Sequence, residues 1–375
     1  MDFLRRCWAE ISLDNIKYNY EQYRKLVPED TQIMCVVKAF CYGHGDDIIV
    51  PYLQNELGVS YFAVSNVLEG IRLRDMGITG EILVLGYTPA ENAGDLVEYD
   101  IIQACTELEY AKKLSQSNSG KVRVHCAIDT GMTRIGLCGS AEESAKEMSE
   151  ISRLENISLE GAFTHFAVAD GSDSESRLYT KEQSDKFFKV CSLAEKAGVK
   201  LKHKHSLNSA GGLFYYDKEN TLARLGIILY GLYPDKKLAL PFEPKPVMTM
   251  KAVISQVKYI DEGTTVSYGR TYRADKKIKL ATVTAGYADG YPRLLSNTGK
   301  VIIGGKLCDI TGRICMDQFM CDVSHLENVS AGDEVILMGE DNGLRITADD
   351  IAEKIGTIGY EVVCDISKRV PRIVK

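Results

Sequence analysis

The sequence has no long apolar run, no paired-cysteine motif and no excess of positive charge, and each absence removes a class of protein. No stretch approaches the roughly 18 apolar residues that a membrane-spanning helix needs, and the opening MDFLRRCWAEISLDN lacks the apolar centre of a secretory signal. With 45 Lys and Arg against 52 Asp and Glu the net charge is −7, which leaves no broad basic surface for nucleic acid or an anionic membrane. The 11 cysteines are odd in number and scattered from Cys7 to Cys364, and no two stand as C-x-x-C, so a zinc or redox pair is not expected. Several, among them Cys35, Cys105 and Cys126, sit inside apolar runs where a reduced thiol packs as a small hydrophobe. These features predict a cytoplasmic protein. There is no internal repeat or low-complexity segment. No G-x-G-x-x-G follows the first strand, which argues against a dinucleotide fold.

What is present is enough apolar residue, 45% of 375, to bury a sizeable core in two domains. The first two-thirds alternates short apolar runs with amphipathic ones. Strands are predicted to end near Lys38, Ser65, Gly86, Cys105, Ile128, Thr164, Ser206 and Arg224, with helices such as Val67 to Met76, Ala141 to Arg153 and Lys181 to Ala197 between them. Eight such units over this length predict a TIM-type (β/α)8 barrel, an α/β fold, over residues 1–238. After a proline-rich connector, Tyr233-Pro234 to Pro246, short strands broken by turn signals predict a C-terminal mainly-β domain over 239–375, almost without helices apart from Ala348 to Lys354. The first strand, within residues 1–11, is expected to pair with that domain.

Barrel enzymes carry their chemistry at the C-terminal ends of the strands. At the first of these, Lys38 follows the apolar run Ile33 to Val37, and Gly43 and Gly45 then open a turn. A lysine there is either a strand-end side chain reaching water or an amine kept near neutral by desolvation so that it can bond an aldehyde cofactor. The loops after strands seven and eight carry His205-Ser206-Leu207-Asn208-Ser209-Ala210-Gly211 and Arg224-Leu225-Gly226-Ile227. A seryl hydroxyl with backbone N–H groups at a helix start makes a phosphate cradle, or a plain helix cap. Taken with Lys38, the cradle indicates pyridoxal phosphate. His203 and His205 have no nearby carboxylate pair, so no metal site is expected.

The stretch Val36-Val37-Lys38-Ala39-Phe40-Cys41-Tyr42-Gly43-His44-Gly45 resembles the lysine signature of the alanine racemase family, VVKANAYGHG. The family's other motifs recur in order: Asp129-Thr130-Gly131-Met132-Thr133-Arg134-Ile135-Gly136, Thr164-His165-Phe166-Ala167, Arg224-x-Gly226-Ile227, Ser267-Tyr268-Gly269, Gly286-Tyr287-Ala288-Asp289-Gly290, Gly312-Arg313-Ile314-Cys315-Met316-Asp317 and Arg369-Val370-Pro371-Arg372. The resemblance spans nearly the whole chain. It implies that Lys38 holds pyridoxal 5′-phosphate, that Tyr42, Ser209, Gly226, Ile227 and Tyr360 surround the phosphate, and that Arg134 lies beside the cofactor's phenolic oxygen. It further implies a homodimer in which Tyr268 reaches in from the partner, with the Met316 N–H and Arg134 binding the substrate carboxylate.

Racemisation removes the α-proton from one face and returns one to the other, so two opposed groups are wanted, and by the resemblance these are Lys38 and Tyr268. A tyrosine with a pKa near 10 needs help to work near neutrality, and the implied helper is His165, itself contacting Arg224. An arginine facing the pyridine nitrogen leaves the ring unprotonated, which disfavours transamination. The expected activity is conversion of L-alanine to D-alanine, supplying cell-wall peptidoglycan. A serine or broad-specificity racemase is the alternative on the same scaffold, and a non-catalytic cofactor carrier is the alternative of another class. Two departures from the family pattern stand out. Phe40 and Cys41 replace small and polar residues, and Ala127 stands where many members have a carbamylated lysine that pins the motif's arginine. Arg134 is therefore expected to find a substitute counter-charge, either a carboxylate of the chain or a small anion such as chloride.

Overall fold

The computed structural model describes residues 4–117 and 119–375. After β1 (Cys7–Ile11), eight strands alternate with helices: β2 (Gln32–Val36), β3 (Tyr61–Val64), β4 (Glu81–Val84), β5 (Ile102–Cys105), β6 (Val122–Ala127), β7 (Ile157–Phe163), β8 (His203–His205) and β9 (Leu222–Leu225). They pair in parallel in the order β8-β7-β6-β5-β4-β3-β2-β9. The two outer strands meet where the Thr221 N–H donates to the Lys204 carbonyl at 2.9 Å and the Arg224 N–H to the Leu207 carbonyl at 3.1 Å, so the sheet is a nearly closed barrel. All eight expected strand ends lie within two residues of the observed ones. Several were legible because strands covered on both faces tend to read as apolar runs; Ile82, Leu83 and Val84 of β4 are all fully buried, whereas β8, His203-Lys204-His205, carries no such run.

The helices Val67–Asp75 and Ala141–Ile151 begin where expected, whereas the third runs Ser174–Lys196 and starts seven residues early. Asp173 caps it, accepting the Ser176 N–H at 2.8 Å. Its first turns are mostly polar and carry no apolar periodicity to announce them.

The second region holds β10 (Met248–Ile260), β11 (Thr265–Val266), β12 (Tyr272–Arg273), β13 (Ile278–Val283), β14 (Lys300–Ile303), β15 (Lys306–Thr311), β16 (Phe319–Asp322), β17 (Glu334–Asp341), β18 (Leu344–Ile346) and β19 (Arg372–Val374). Nine strands form one sheet in the order β18-β17-β14-β15-β16-β13-β10-β1-β19, with β17 also pairing to β10. Thus β1 does leave the barrel: Cys7 to Ile11 run antiparallel to Ala252 to Met248. Residues 1–3 of that expected segment lie outside the described residues. From Met248 to Ile254, β10 alternates fully buried and half-buried positions, the period of a sheet with one wet face. The ribbon of β11 and β12 projects from this region, and the helices Ala348–Ile355 and Gly359–Cys364 pack together beside the barrel mouth.

Candidate active site

Lys38 begins a turn that no ordinary sequence preference would choose. Ala39, Phe40, Cys41 and Tyr42 all have φ between 51° and 57°, a left-handed helical turn that costs L-residues roughly 1–2 kcal/mol each. Its surroundings hold it. The Gly43 N–H donates to the Ala39 carbonyl and the Gly45 N–H to the Phe40 carbonyl, both at 2.9 Å. The His44 ring Nδ1 lies 2.8 Å from the Tyr42 carbonyl, and Arg372 of the closing R-V-P-R donates Nε to the Gly43 carbonyl at 2.9 Å. At Gly43, φ is 80° and a Cβ would run into the Val363 carbonyl, so only glycine fits. The two departures in this motif have explicable homes. The Phe40 ring lies within 6 Å of three cations, Arg72, Lys368 and Arg372, and Cys41 is fully buried.

A cavity of about 510 Å³ opens at the barrel mouth, and its lining includes Lys38, Tyr42, Arg134, His165, Ser209, Arg224, Gly226, Ile227 and Tyr360. Nine residues predicted from sequence thus meet in one place. At one end the Ser209 hydroxyl accepts the Gly226 N–H at 2.9 Å, and Tyr42 packs between Tyr230 and Tyr360, ring centres 5.0 and 6.2 Å away. A Cβ on Gly226 would come within 3.2 Å of the Tyr42 hydroxyl and 3.4 Å of the Ser209 hydroxyl, filling the space between them. This bare cradle beside the free N–H groups of the helix start at Ser209 suits a phosphate. At the other end Lys38 is partly buried, and its amine is held below the ordinary lysine value, first by burial and then by the charge of Arg134, with Glu69 acting in the opposite direction. An amine so placed is suited to bonding an aldehyde. The residues present therefore fit pyridoxal phosphate.

Arg224 is fully enclosed, and burial lowers its guanidinium to about 10, so it stays charged at neutral pH. Among the described residues its donors meet neutral acceptors: His205 Nδ1 at 2.9 Å, the carbonyls of His205 and Thr164, each at 2.7 Å, and the Ser206 carbonyl at 3.3 Å. The partner expected for Arg224 is His165, yet among the described residues no hydrogen bond joins the two, and the histidine bonded to the arginine is His205. The arginine N–H fills His205 Nδ1, which puts the ring proton on Nε2, 2.9 Å from His125 Nδ1. His165 is driven down to about 3 by burial and by the charges of Arg224, Arg134 and Lys38, so it is neutral. His203 and His205 belong to this buried histidine cluster. No group of three or more side chains able to hold a metal occurs among the described residues.

Tyr268 and Met316 do not line this cavity. They are 70% and 53% exposed, on the β-domain. Tyr268 sits in the turn between β11 and β12, where Ser267 takes φ 64° and its hydroxyl donates to the Arg313 carbonyl at 2.6 Å. The Ala288 N–H in turn donates to the Met316 carbonyl at 3.0 Å, so the S-Y-G, G-Y-A-D-G and G-R-I-C-M-D motifs are stapled together. Beneath them the buried Asp289 carboxylate takes a fork from Arg6 at 2.9 and 2.8 Å and a third bond from Arg369 at 2.8 Å. Burial pushes that carboxyl up, but these arginines outweigh it and hold the group below its usual value.

Arg134 is exposed and, among the described residues, has no ion pair and no side-chain hydrogen bond. Among the described residues no carboxylate pairs with it as counter-charge, and Ala127 itself packs in an apolar nest of Ala104, Phe163 and Leu85. Sequence reasoning also missed Ser65 and Asp170, which line the cavity, and Gln183. Gln183 is buried and ties the Ala167 N–H, the His165 carbonyl and the Thr130 hydroxyl together at 2.9, 3.1 and 3.2 Å. Its signal is weak, one amide inside a predicted helix.

Comparison with known proteins gives the family and the fold. The alanine racemase N-terminal domain model matches residues 11–234 and the alanine racemase C-terminal domain model residues 247–374. The chain belongs to the alanine racemase family. An alanine racemase of Clostridium perfringens is 46% identical over 99% of this chain and 96% of its own. Among solved structures, alanine racemase of Clostridium difficile 630 superposes with a TM-score of 0.93 at 42% identity, covering 100% of this chain and 97% of that one. A histidine racemase from Leuconostoc mesenteroides reaches 0.89 at 28% identity, covering 99% and 98%. Membership in the alanine racemase family makes this chain an amino-acid racemase, and no helix among its described residues is long and apolar enough to cross a membrane.

Proposed function

We propose that this racemase interconverts L- and D-alanine with pyridoxal 5′-phosphate, as a cytoplasmic homodimer whose two sites each combine the barrel of one subunit (1–238) with the β-domain of the other (239–375). The observation that carries the reading is the separation of Lys38, in the cavity, from Tyr268 and Met316, exposed outside it. When bound, pyridoxal phosphate supplies an aldehyde that takes up an amine and a ring that draws electrons from the amino acid's Cα–H bond.

The chain's own residues do the rest. Tyr42, Ser209, Gly226, Ile227 and Tyr360 hold the phosphate end. Arg224, fixed by neutral acceptors, remains a donor and leaves the ring nitrogen unprotonated. Lys38, its proton loosened by burial, exchanges the Cα proton on one face, and the partner subunit's Tyr268 serves the other. Neutral His165 is the acceptor available to that tyrosine. Arg134 and the Met316 N–H grip the substrate carboxylate, and a small anion beside Ala127 supplies the counter-charge that the chain does not. The D-alanine formed serves peptidoglycan synthesis.

A D-amino-acid oxidase-coupled assay on L-alanine, L-serine and L-histidine tests the reading. The highest kcat/KM is expected for alanine. A preference for serine or histidine overturns the substrate, and cofactor binding without turnover of any amino acid overturns the catalytic reading in favour of a carrier.

A further inference from the structure

The helix Val67–Asp75 is capped by Asn66, whose side chain accepts the Glu69 N–H at 3.1 Å. An acidic residue three places after such a cap ordinarily reaches back to the cap's own N–H. Glu69 does not. Its Oε2 accepts the Ser65 N–H at 2.7 Å, and its Oε1 crosses to the neighbouring strand-end loop to accept the Ala39 N–H at 2.9 Å. That N–H belongs to the peptide bond between Lys38 and Ala39, the first of the left-handed turn. It has no acceptor within the turn, because the preceding Val37 offers no side-chain cap.

We propose that Glu69 is a positioning residue for Lys38: by clamping the Lys38–Ala39 peptide to the loop after β3, its carboxylate fixes the lysine amine at the cavity. The proposal rests on the reading of Lys38 as the cofactor-bonding residue and adds what holds it there. The clamp has something to resist. Ala39 to Tyr42 each relax downhill on leaving the left-handed region, and a peptide free to rotate at residue 38 is where that relaxation starts. Both loops also contribute side chains to the cavity, Lys38 from one and Ser65 from the other, so a single carboxylate sets their spacing. Its charge acts as well. Among the groups around the Lys38 amine, burial, Arg134 and Arg224 hold it down, whereas Glu69 and Cys364 hold it up.

The test uses full-length chains, wild type and Glu69→Gln, freed of carbonyl compounds with hydroxylamine. They are labelled with trace acetic anhydride across a pH series, and acetylation of each lysine is read by peptide mass spectrometry. The isosteric amide can accept only one of the two N–H groups and carries no charge. The Lys38 labelling midpoint is expected to fall by about one pH unit while surface lysines such as Lys25 do not move, and reloaded Glu69→Gln enzyme is expected to lose about 10- to 100-fold in kcat. An unchanged Lys38 midpoint and kcat, whatever happens to the melting temperature, makes Glu69 a mere loop staple and overturns the proposal. Glu69→Asp keeps the charge on a shorter arm; recovery of the midpoint without recovery of kcat supports the clamp, whereas full recovery of kcat assigns the effect to charge alone and overturns it. Borohydride reduction of wild-type holoenzyme judges the underlying reading separately: no cofactor mass on the Lys38 peptide removes that reading, whereas the labelling result bears on Glu69.

Discussion

The two regions that carry the family's motifs treat their functional side chains in opposite ways. In the barrel, Arg224 and His205 are buried and hydrogen-bonded to each other. On the β-domain, the loops are locked from beneath through Asp289, but the side chains they present, Tyr268 and Met316, face outward. The barrel encloses its groups, whereas the β-domain holds a stapled platform whose side chains face outward. Under the proposed mechanism a reaction that works on both faces of one carbon accounts for the division, because a single wall cannot reach both.

The largest expected break in this comparison is Lys38→Ala, which removes the group proposed to exchange the Cα proton on the barrel side. Racemisation is expected to fall by more than about 10⁴-fold, and borohydride reduction of wild type, but not of the variant, is expected to leave the cofactor's mass on the peptide from this turn. A protein-linked adduct in the variant sinks the assignment. Next comes Tyr268→Phe, which removes one hydroxyl from the displayed face and leaves the cavity as it is. A loss of about 10²–10⁴-fold in kcat with unchanged cofactor affinity is expected; an unchanged kcat means another residue serves that face.

A third, smaller effect separates the regions by pH. The barrel-side histidines are held below 6.5 in the fold, chiefly by desolvation: His44 and His203 to about 4, His125 and His165 to about 3. Because the unfolded chain takes up those protons first, their contribution to stability is complete above about pH 6.5 and is lost progressively as the pH falls toward 4 and then 3, by up to about 1.4 kcal/mol per pH unit for each histidine. Thermal melts from pH 7 to 4.5 read this, and His203→Asn is expected to flatten the slope. A melting temperature independent of pH across that range contradicts the neutral cluster. The smallest effect concerns Arg134, an exposed group at the barrel mouth. If an anion steadies it, KM for alanine changes by about 2- to 5-fold, the size of an exposed ion pair, when chloride is replaced by a bulkier anion at constant ionic strength. A constant KM removes the anion.

Strands such as β2 and β4 were legible because burial on both faces writes itself as apolar runs, and Lys38 because it follows such a run; Ser209 and Arg224 were legible from the motifs around the last two strands, whose own residues are partly polar. Roles that depend on the direction of a side chain were not. Nothing in the sequence distinguishes His205 from His165 as the ligand of Arg224, since that depends on which of two neighbouring strand ends points inward. Glu69 lies in the first turn of the expected helix Val67 to Met76 with no motif to single it out, and only the left-handed turn beside it gives its carboxylate a second donor. The absence of a carboxylate near Arg134 was equally hidden, because a counter-charge can arrive from any point in the chain.

The central claim is that each site is built from two chains, and subunit mixing tests it most directly. Lys38→Ala and Tyr268→Ala chains, each inactive, are combined under conditions where subunit exchange is verified by native mass spectrometry. Random pairing into dimers leaves about one quarter of the sites intact, and the account predicts racemase activity near that fraction of wild type. No recovery at all, with heterodimers present, would mean that Lys38 and Tyr268 serve the same site within one chain.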